Sequence, residues 1–224
     1  MFYVGGTIAS MKMTTHTLDT GSEMYPMTYW PSWPNYYGIQ AGYQVSPNFI
    51  IETGLQVVNY DETVRFKNHF YGYGNGMVAI NVPLTGIWNF HSHSLAERSI
   101  VRYGLLAGVN IQGVNGRDSG GGTRMGTSDP NSFQIRTHNR SDEGPAYFMR
   151  PFIGIRSEIV ARDRIGFFVN YNYIFGKKEV FTNHVEYSDR GVKNTGSVAF
   201  TGGGRMIQFG VRGYFGEKVI GRRK

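Results

Sequence analysis

The chain alternates apolar and polar residues with a period of two, most clearly in its last long segment. Between positions 206 and 215, one face carries apolar side chains and the other carries glycine and polar side chains: Ile207, Phe209, Val211 and Phe215 against Gln208, Gly210, Arg212 and Tyr214. A β-strand separates two such sets onto opposite faces. Because glycines and an arginine occupy the polar face and the pattern recurs, it is typical of a membrane barrel, apolar towards lipid and polar towards the lumen.

The same alternation predicts eight strands. They cover about 2–12, 37–46, 49–60, 77–90, 99–113, 146–161, 165–176 and 206–215. Short connections at 47–48, 91–98 and 162–164 alternate with long ones at 13–36, 61–76, 114–145 and 177–204. Short turns on one rim and long loops on the other predict an all-β fold, an eight-stranded antiparallel up-and-down transmembrane β-barrel with periplasmic termini.

Composition agrees with one barrel domain over 1–216, followed by a short basic periplasmic tail at 217–224. No stretch approaches the 18 or so apolar residues that a membrane helix needs. With no cysteine in the chain, disulfides, thiolate metal sites and an N-terminal lipidated cysteine are excluded. No leader is visible, and since export requires one, we take the numbering to be that of a processed chain.

The net charge of +7 predicts contact with anionic headgroups. Outer-membrane lipid and lipopolysaccharide phosphates are the expected partners. Nucleic acid is disfavoured, because the basic residues are scattered along strands and loops and form no single patch.

Six charged residues fall on the lumen-facing parity of the predicted strands: Glu52, Arg102, Arg150, Arg156, Glu158 and Arg212. An eight-stranded barrel is just wide enough for its side chains, and buried charges require partners. We therefore expect a salt-bridged lumen, with a narrow, gated ion path as the alternative. Four arginines against two glutamates leave a positive excess that needs a further acid or water.

Aromatic residues near strand ends or on outward faces predict interfacial belts. The expected anchors are Tyr3, Tyr37, Tyr43, Trp88, Phe90, Tyr103, Phe175, Tyr214 and Phe215. A separate concentration lies in the first long loop, where prolines stiffen a run of aromatics. Because exposed aromatics on a stiff loop are costly unless they meet something, we expect a self-packed cap over the barrel mouth, with a partner-protein or glycan contact as the alternative. The candidates are Tyr25, Tyr29, Trp30, Trp33 and Tyr36.

Three other motifs have plain structural interpretations. The segment His91–Ser94 could share a metal or belong to a Ser/His/acid site, as in lipid A deacylases, but only distant Glu97 could add a carboxylate, so we expect a turn. The third loop, with Asp118 and Asp129, matches no calcium-loop spacing. Gly202–Gly204 is expected to be a flexible entry to the last strand and not a phosphate cradle, since no helix follows it.

The order of segments resembles the outer-membrane β-barrel domains common in Bacteroidota, the OmpA-like or PorT-like eight-stranded barrels. The resemblance covers nearly the whole chain and is carried by Ile51–Leu55, Ile80–Leu84, Gly154–Glu158 and Gly210–Phe215. That family usually has a glutamate before the apolar-Pro step of its fourth strand, where this chain has Asn81. The resemblance implies a fold and a membrane, and it implies no reaction.

These observations favour a non-enzymatic outer-membrane barrel without a cofactor, acting as a structural or accessory subunit of a larger outer-membrane complex. A small pore and an outer-membrane lipid-modifying enzyme are the alternatives. The rival fold is a soluble lipocalin-like barrel, which would bury Ile207 and Phe209 inside.

Overall fold

The computed structural model describes residues 1–19, 24–27, 35–66, 69–96, 98–114, 124–125, 134–140, 146–162, 164–177, 179–189 and 192–216. Within these ranges the chain forms a single sheet of twelve strands. They are β1 (Phe2–Asp19), β2 (Met24–Met27), β3 (Tyr36–Ser46), β4 (Phe49–Phe66), β5 (His69–Ala96), β6 (Ser99–Val114), β7 (Arg124–Met125), β8 (Gln134–Arg140), β9 (Ala146–Ala161), β10 (Ile165–Ile174), β11 (Phe181–Asp189) and β12 (Val192–Phe215).

No helix long and apolar enough to span a membrane occurs in the described residues.

Eight of the strands form a closed antiparallel barrel, in the order β1, β3, β4, β5, β6, β9, β10 and β12. Pairing of β1 with β12, from Phe2 opposite Phe215 onwards, closes it. The four shorter strands extend the wall at the long-loop rim: β2 pairs with β4, β11 with β12, β8 with β11, and β7 with β8. The predicted eight-stranded up-and-down transmembrane barrel is confirmed.

The connections differ from prediction, because strand pairing continues where loops were expected. The predicted loop 61–76 is mostly an extension of β4 and β5, which pair as far as Phe66 with His69. β5 also runs through the predicted polar connection, to Ala96, and β12 includes Gly202–Gly204. Beyond the hydrocarbon neither face has to be apolar, so the alternation fades while backbone pairing persists.

The two faces of the barrel have the polarity of a membrane wall. On β12, Phe209 and Val211 are about half exposed on the outside, whereas Gln208 and Arg212 are buried inside. The same division holds on β10, where outward positions are exposed and inward ones buried. A soluble lipocalin-like barrel requires the reverse polarity.

Bulky inward side chains pack against inward glycines on neighbouring strands. A Cβ at Gly42 would overlap the ring of Tyr3, and one at Gly210 would overlap the ring of Phe168. Both aromatic rings are buried. The lumen therefore combines a polar network with aromatic rings that approach the opposing backbone closely.

Candidate functional site

Glu52 is the centre of an ionic network inside the barrel. Its carboxylate lies 2.6 Å from Nη2 of Arg212 and 3.4 Å from Nη2 of Arg156. The Tyr3 hydroxyl also donates a hydrogen bond to it. All four side chains are buried. A carboxylate out of contact with water is stabilised here by two guanidinium groups and a hydroxyl donor.

Arg212 and Glu158 are the two most completely enclosed charges in the described lumen, each at 1% exposure. The Arg212 guanidinium lies between two rings, 4.3 Å from the centroid of Tyr3 and 4.1 Å from that of Phe168. Nη1 is 3.5 Å from Glu158. With its amide oxygen facing the guanidinium, Gln40 accepts from Nε at 3.0 Å. Aromatic faces and an amide thus supplement the two carboxylates.

Glu158 connects this centre to a second tyrosine. The Tyr214 hydroxyl donates to Glu158. Arg102 is the register partner of Glu158 on the adjacent strand, and its guanidinium is 5.9 Å from the centroid of Tyr214. The rings of Tyr3 and Tyr214 pack edge to face, with 5.3 Å between their centroids. Two tyrosines therefore bring the two carboxylates into one assembly.

A chain of hydrogen bonds that begins at Arg156 and continues through neutral side chains extends the network around the inner wall. Arg156 donates through Nε to Asn170 at 2.7 Å, and Asn170 donates to Gln208 at 2.8 Å. Gln208 donates to the Thr7 hydroxyl at 2.7 Å. These contacts tie β9, β10, β12 and β1 together through buried groups that satisfy one another.

The six charged residues predicted to face the lumen are all buried inside it. Glu52, Arg156, Glu158 and Arg212 form one network, with Arg102 beside it. Arg150 lies apart, donating to Gln112 and packing 4.6 Å from the centroid of Phe148. The described part of the lumen has more arginines than carboxylates. Amide acceptors and aromatic faces contact the additional arginines.

The belt prediction was wrong for two tyrosines. Tyr3 and Tyr214 are buried inside the lumen. Since Phe2 and Val4 are outward, strand parity already assigned Tyr3 to the inside. The other seven predicted anchors are exposed on the outer wall, namely Tyr37, Tyr43, Trp88, Phe90, Tyr103, Phe175 and Phe215.

The aromatic-loop candidates fall mostly outside the described side chains. Tyr29, Trp30 and Trp33 lie outside the described residues, and for Tyr25 only the backbone, in β2, is described. The prediction that Tyr36 is an exposed loop residue was wrong, because Tyr36 begins β3 and its side chain is buried at 3% exposure. Its hydroxyl donates to the sulfur of Met11 at 3.0 Å. Pairing of Tyr36 with Val58 draws it into the barrel and away from any exposed loop surface.

The His91–Ser94 motif forms the exposed end of β5 and not a turn. The rings of His91 and His93 are 6.1 and 6.0 Å from that of Tyr103 on β6. In the part of the chain that the structure describes, no third histidine, cysteine or carboxylate completes a metal-binding group. Asp118, Asp129 and the tail 217–224 lie outside the described residues.

Comparison with known proteins shows the fold. No protein-family model matches the chain, and no curated protein sequence matches it. The outer membrane protein OprG from Pseudomonas aeruginosa superimposes with a TM-score of 0.51 over 96% of each chain, at 9% identity. The chain has the fold of the eight-stranded outer-membrane barrels.

Two further solved structures align over similar lengths with lower scores. The N-terminal β-barrel domain of Pseudomonas aeruginosa OprF has a TM-score of 0.44 at 11% identity, over 95% of this chain and 97% of that one. Neisserial surface protein A has a TM-score of 0.40 at 12% identity, over 96% and 97%.

Proposed function

We propose that this protein is a non-enzymatic integral barrel of the bacterial outer membrane, serving as a structural or accessory subunit. The observation that carries the proposal is the position of Arg212. Its guanidinium lies between Glu52 of β4 and Glu158 of β9, two strands that are not neighbours in the barrel, and between the rings of Tyr3 and Phe168. Such a cross-link across the lumen favours a barrel that is held shut, with its activity on its outer surfaces.

The outer wall supports the membrane part of the proposal. Large apolar side chains are exposed along all eight barrel strands, and aromatic residues lie near the ends. The short turns and both termini would face the periplasm, as in other barrels of this architecture. The resemblance to Bacteroidota barrels suggests a source but adds no activity.

Two cations on the outer wall support contact with an anionic lipid. Lys12 of β1 and Arg205 of β12 are directly opposite in register and both are exposed. No carboxylate of the described residues forms an ion pair with either. Like charges at opposing positions repel, so a lipid phosphate between them would be stabilising, and lipopolysaccharide is the expected source.

The subunit role is tested by gentle detergent extraction from the native membrane and identification of what co-purifies. We expect a defined protein to remain bound at stoichiometric levels. A lone monomer, with the barrel shown to be folded by its heat-dependent electrophoretic mobility, would count against the accessory role.

A narrow pore is the second candidate, favoured by the polar side chains that line the lumen beside the ionic centre. Asn81, for example, donates to Gln56 at 2.8 Å and to Asn110 at 3.2 Å. Planar-bilayer recording of the purified protein separates the candidates. If the barrel has a structural role, we expect no stable conductance steps. Regular conductance steps would contradict that role and support the pore.

A further inference from the structure

The barrel wall is interrupted near the long-loop rim, between β9 and β12. β10 ends at Ile174, and the last hydrogen bond across to β9 is from Phe175 N to Pro151 O at 2.8 Å. β9 continues through 146–150, where it pairs with β6 on one edge. Among the described residues, no strand pairs with its other edge. On the far side, the β1–β12 register shifts between Met13 and Thr15, so that β12 bulges.

A groove lies at this interruption. It has a volume of about 380 Å³ and is lined by residues 147–151 of β9 and 175–177 after β10. Tyr147 and Met149 are strongly exposed along it, and Pro151 and Phe175 are exposed as well. The volume lies within the range of small-molecule sites, roughly 300–1,000 Å³. Because these exposed side chains are apolar or aromatic, the outer side of the groove suits an apolar chain.

The inner end of the groove carries a buried cation. Arg150 is 3% exposed, and its guanidinium reaches across the interruption to β12, where a Cβ at Gly202 would lie 2.7 Å from Nη1. Nη1 donates to Gln112. Nη2 is buried and has no hydrogen-bond acceptor among the described residues. A buried guanidinium with an unused donor is costly, so this position favours an anion.

We propose that the groove binds a single-chain anionic amphiphile, its head group accepting from Nη2 of Arg150. The acyl chain would lie against Met149, Pro151 and Phe175, on the membrane side. Lys177, exposed at the groove, adds a second positive charge near the head group. This site is separate from the Glu52–Arg212 network, so it stands whether or not the lumen conducts.

Binding is measured with the full chain in phosphatidylcholine nanodiscs, using a spin-labelled C16 fatty acid. The C16 alcohol and C16 alkyl phosphate, each with the same label, are the comparison probes. We expect the acid to bind about tenfold more tightly than the alcohol, the value of one charge-assisted hydrogen bond. Equal affinity for acid and alcohol would overturn the proposal. Tighter binding of the phosphate than of the acid would support it and assign the head group to phosphate.

Arg150→Gln should abolish the preference for the charged probes, and Arg164→Gln, an exposed arginine at the opposite rim, should retain it. Retention of the preference in Arg150→Gln would also overturn the proposal. If Arg150→Gln does not fold, Met149→Asp decides, because this exposed position lines the groove and leaves the buried arginine intact. It should weaken acid binding about tenfold through like-charge repulsion, and unchanged acid binding would count against the site.

Discussion

Nη2 of Arg212 and Oε2 of Glu52 lie 2.6 Å apart in the lumen, although the two residues are 160 positions apart along the chain. They belong to β12 and β4, which have β1 and β3 between them in the barrel. The ion pair therefore crosses the lumen and fixes the distance between two parts of the wall that backbone hydrogen bonds do not join directly. Its energetic role can be tested by removing one charge at a time.

Glu52→Gln should be strongly destabilising, because Arg212 and Arg156 would stay buried beside a neutral amide. Breaking a buried pair from one side costs about 3–5 kcal/mol. Urea unfolding in lipid vesicles measures the loss. Glu179→Gln is the matched control, since Glu179 is exposed and, among the described residues, its carboxylate accepts a hydrogen bond from Thr182 alone. Equal losses in the two variants would mean that the network does not stabilise the barrel.

Arg212→Lys tests the aromatic sandwich, because it keeps the charge and removes the planar guanidinium. Lysine cannot stack between Tyr3 and Phe168 while donating to Glu52 and Gln40. We expect a loss of about 1–3 kcal/mol in unfolding free energy. A lysine variant as stable as the parent would show that charge alone, without the planar stacking, is enough here.

Gly42→Ala tests the close approach of Tyr3 to the opposing strand. The new methyl group would overlap the Tyr3 ring, so the ring must leave its place beside Glu52. Overpacking of this kind costs about 1–3 kcal/mol. Gly6→Ala is the control in the same wall, because a Cβ there meets no atom within 4 Å. Refolding yield and urea midpoint should fall for Gly42→Ala and stay unchanged for Gly6→Ala.

Lys12→Ser should respond to the lipid in which the barrel is embedded. In phosphatidylcholine, removal of one of two opposed cations should stabilise the barrel by about 0.2–1 kcal/mol. In vesicles that contain lipid A the same substitution should destabilise it, because a phosphate contact is lost. Unfolding midpoints of Lys12→Ser and Arg164→Ser in both lipids provide the comparison. The same shift in both lipids would argue against a phosphate at the Lys12–Arg205 pair.

Period-two parity was sufficient to predict the barrel and the inward position of six charged residues, because a strand directs alternate side chains to opposite faces. It could not predict which charges meet. Parity gives no height along the barrel axis, and Glu52 pairs with Arg156 and Arg212 on strands that are not its neighbours. Tyr3 and Tyr214 were assigned to the belts because a tyrosine at a strand end suits either an interface or a buried carboxylate. Parity also predicts that Arg150 lies inside the barrel. The interruption of the wall beside Arg150 depends on where β10 ends, and parity does not predict that position.

The orientation of the barrel can be tested with single cysteines, because the chain contains none of its own. Ser94 is exposed at the end of β5 on the short-turn side, and Lys177 is exposed beyond β10 on the long-loop side. In intact cells, a membrane-impermeant maleimide should label Lys177→Cys and should reach Ser94→Cys only after the outer membrane is permeabilised. The opposite labelling pattern would place the short turns and the termini outside. The Lys12–Arg205 pair and the Arg150 groove both lie nearer the long-loop side, so this pattern would also place them against the inner leaflet. There they would contact glycerophospholipid and not lipopolysaccharide.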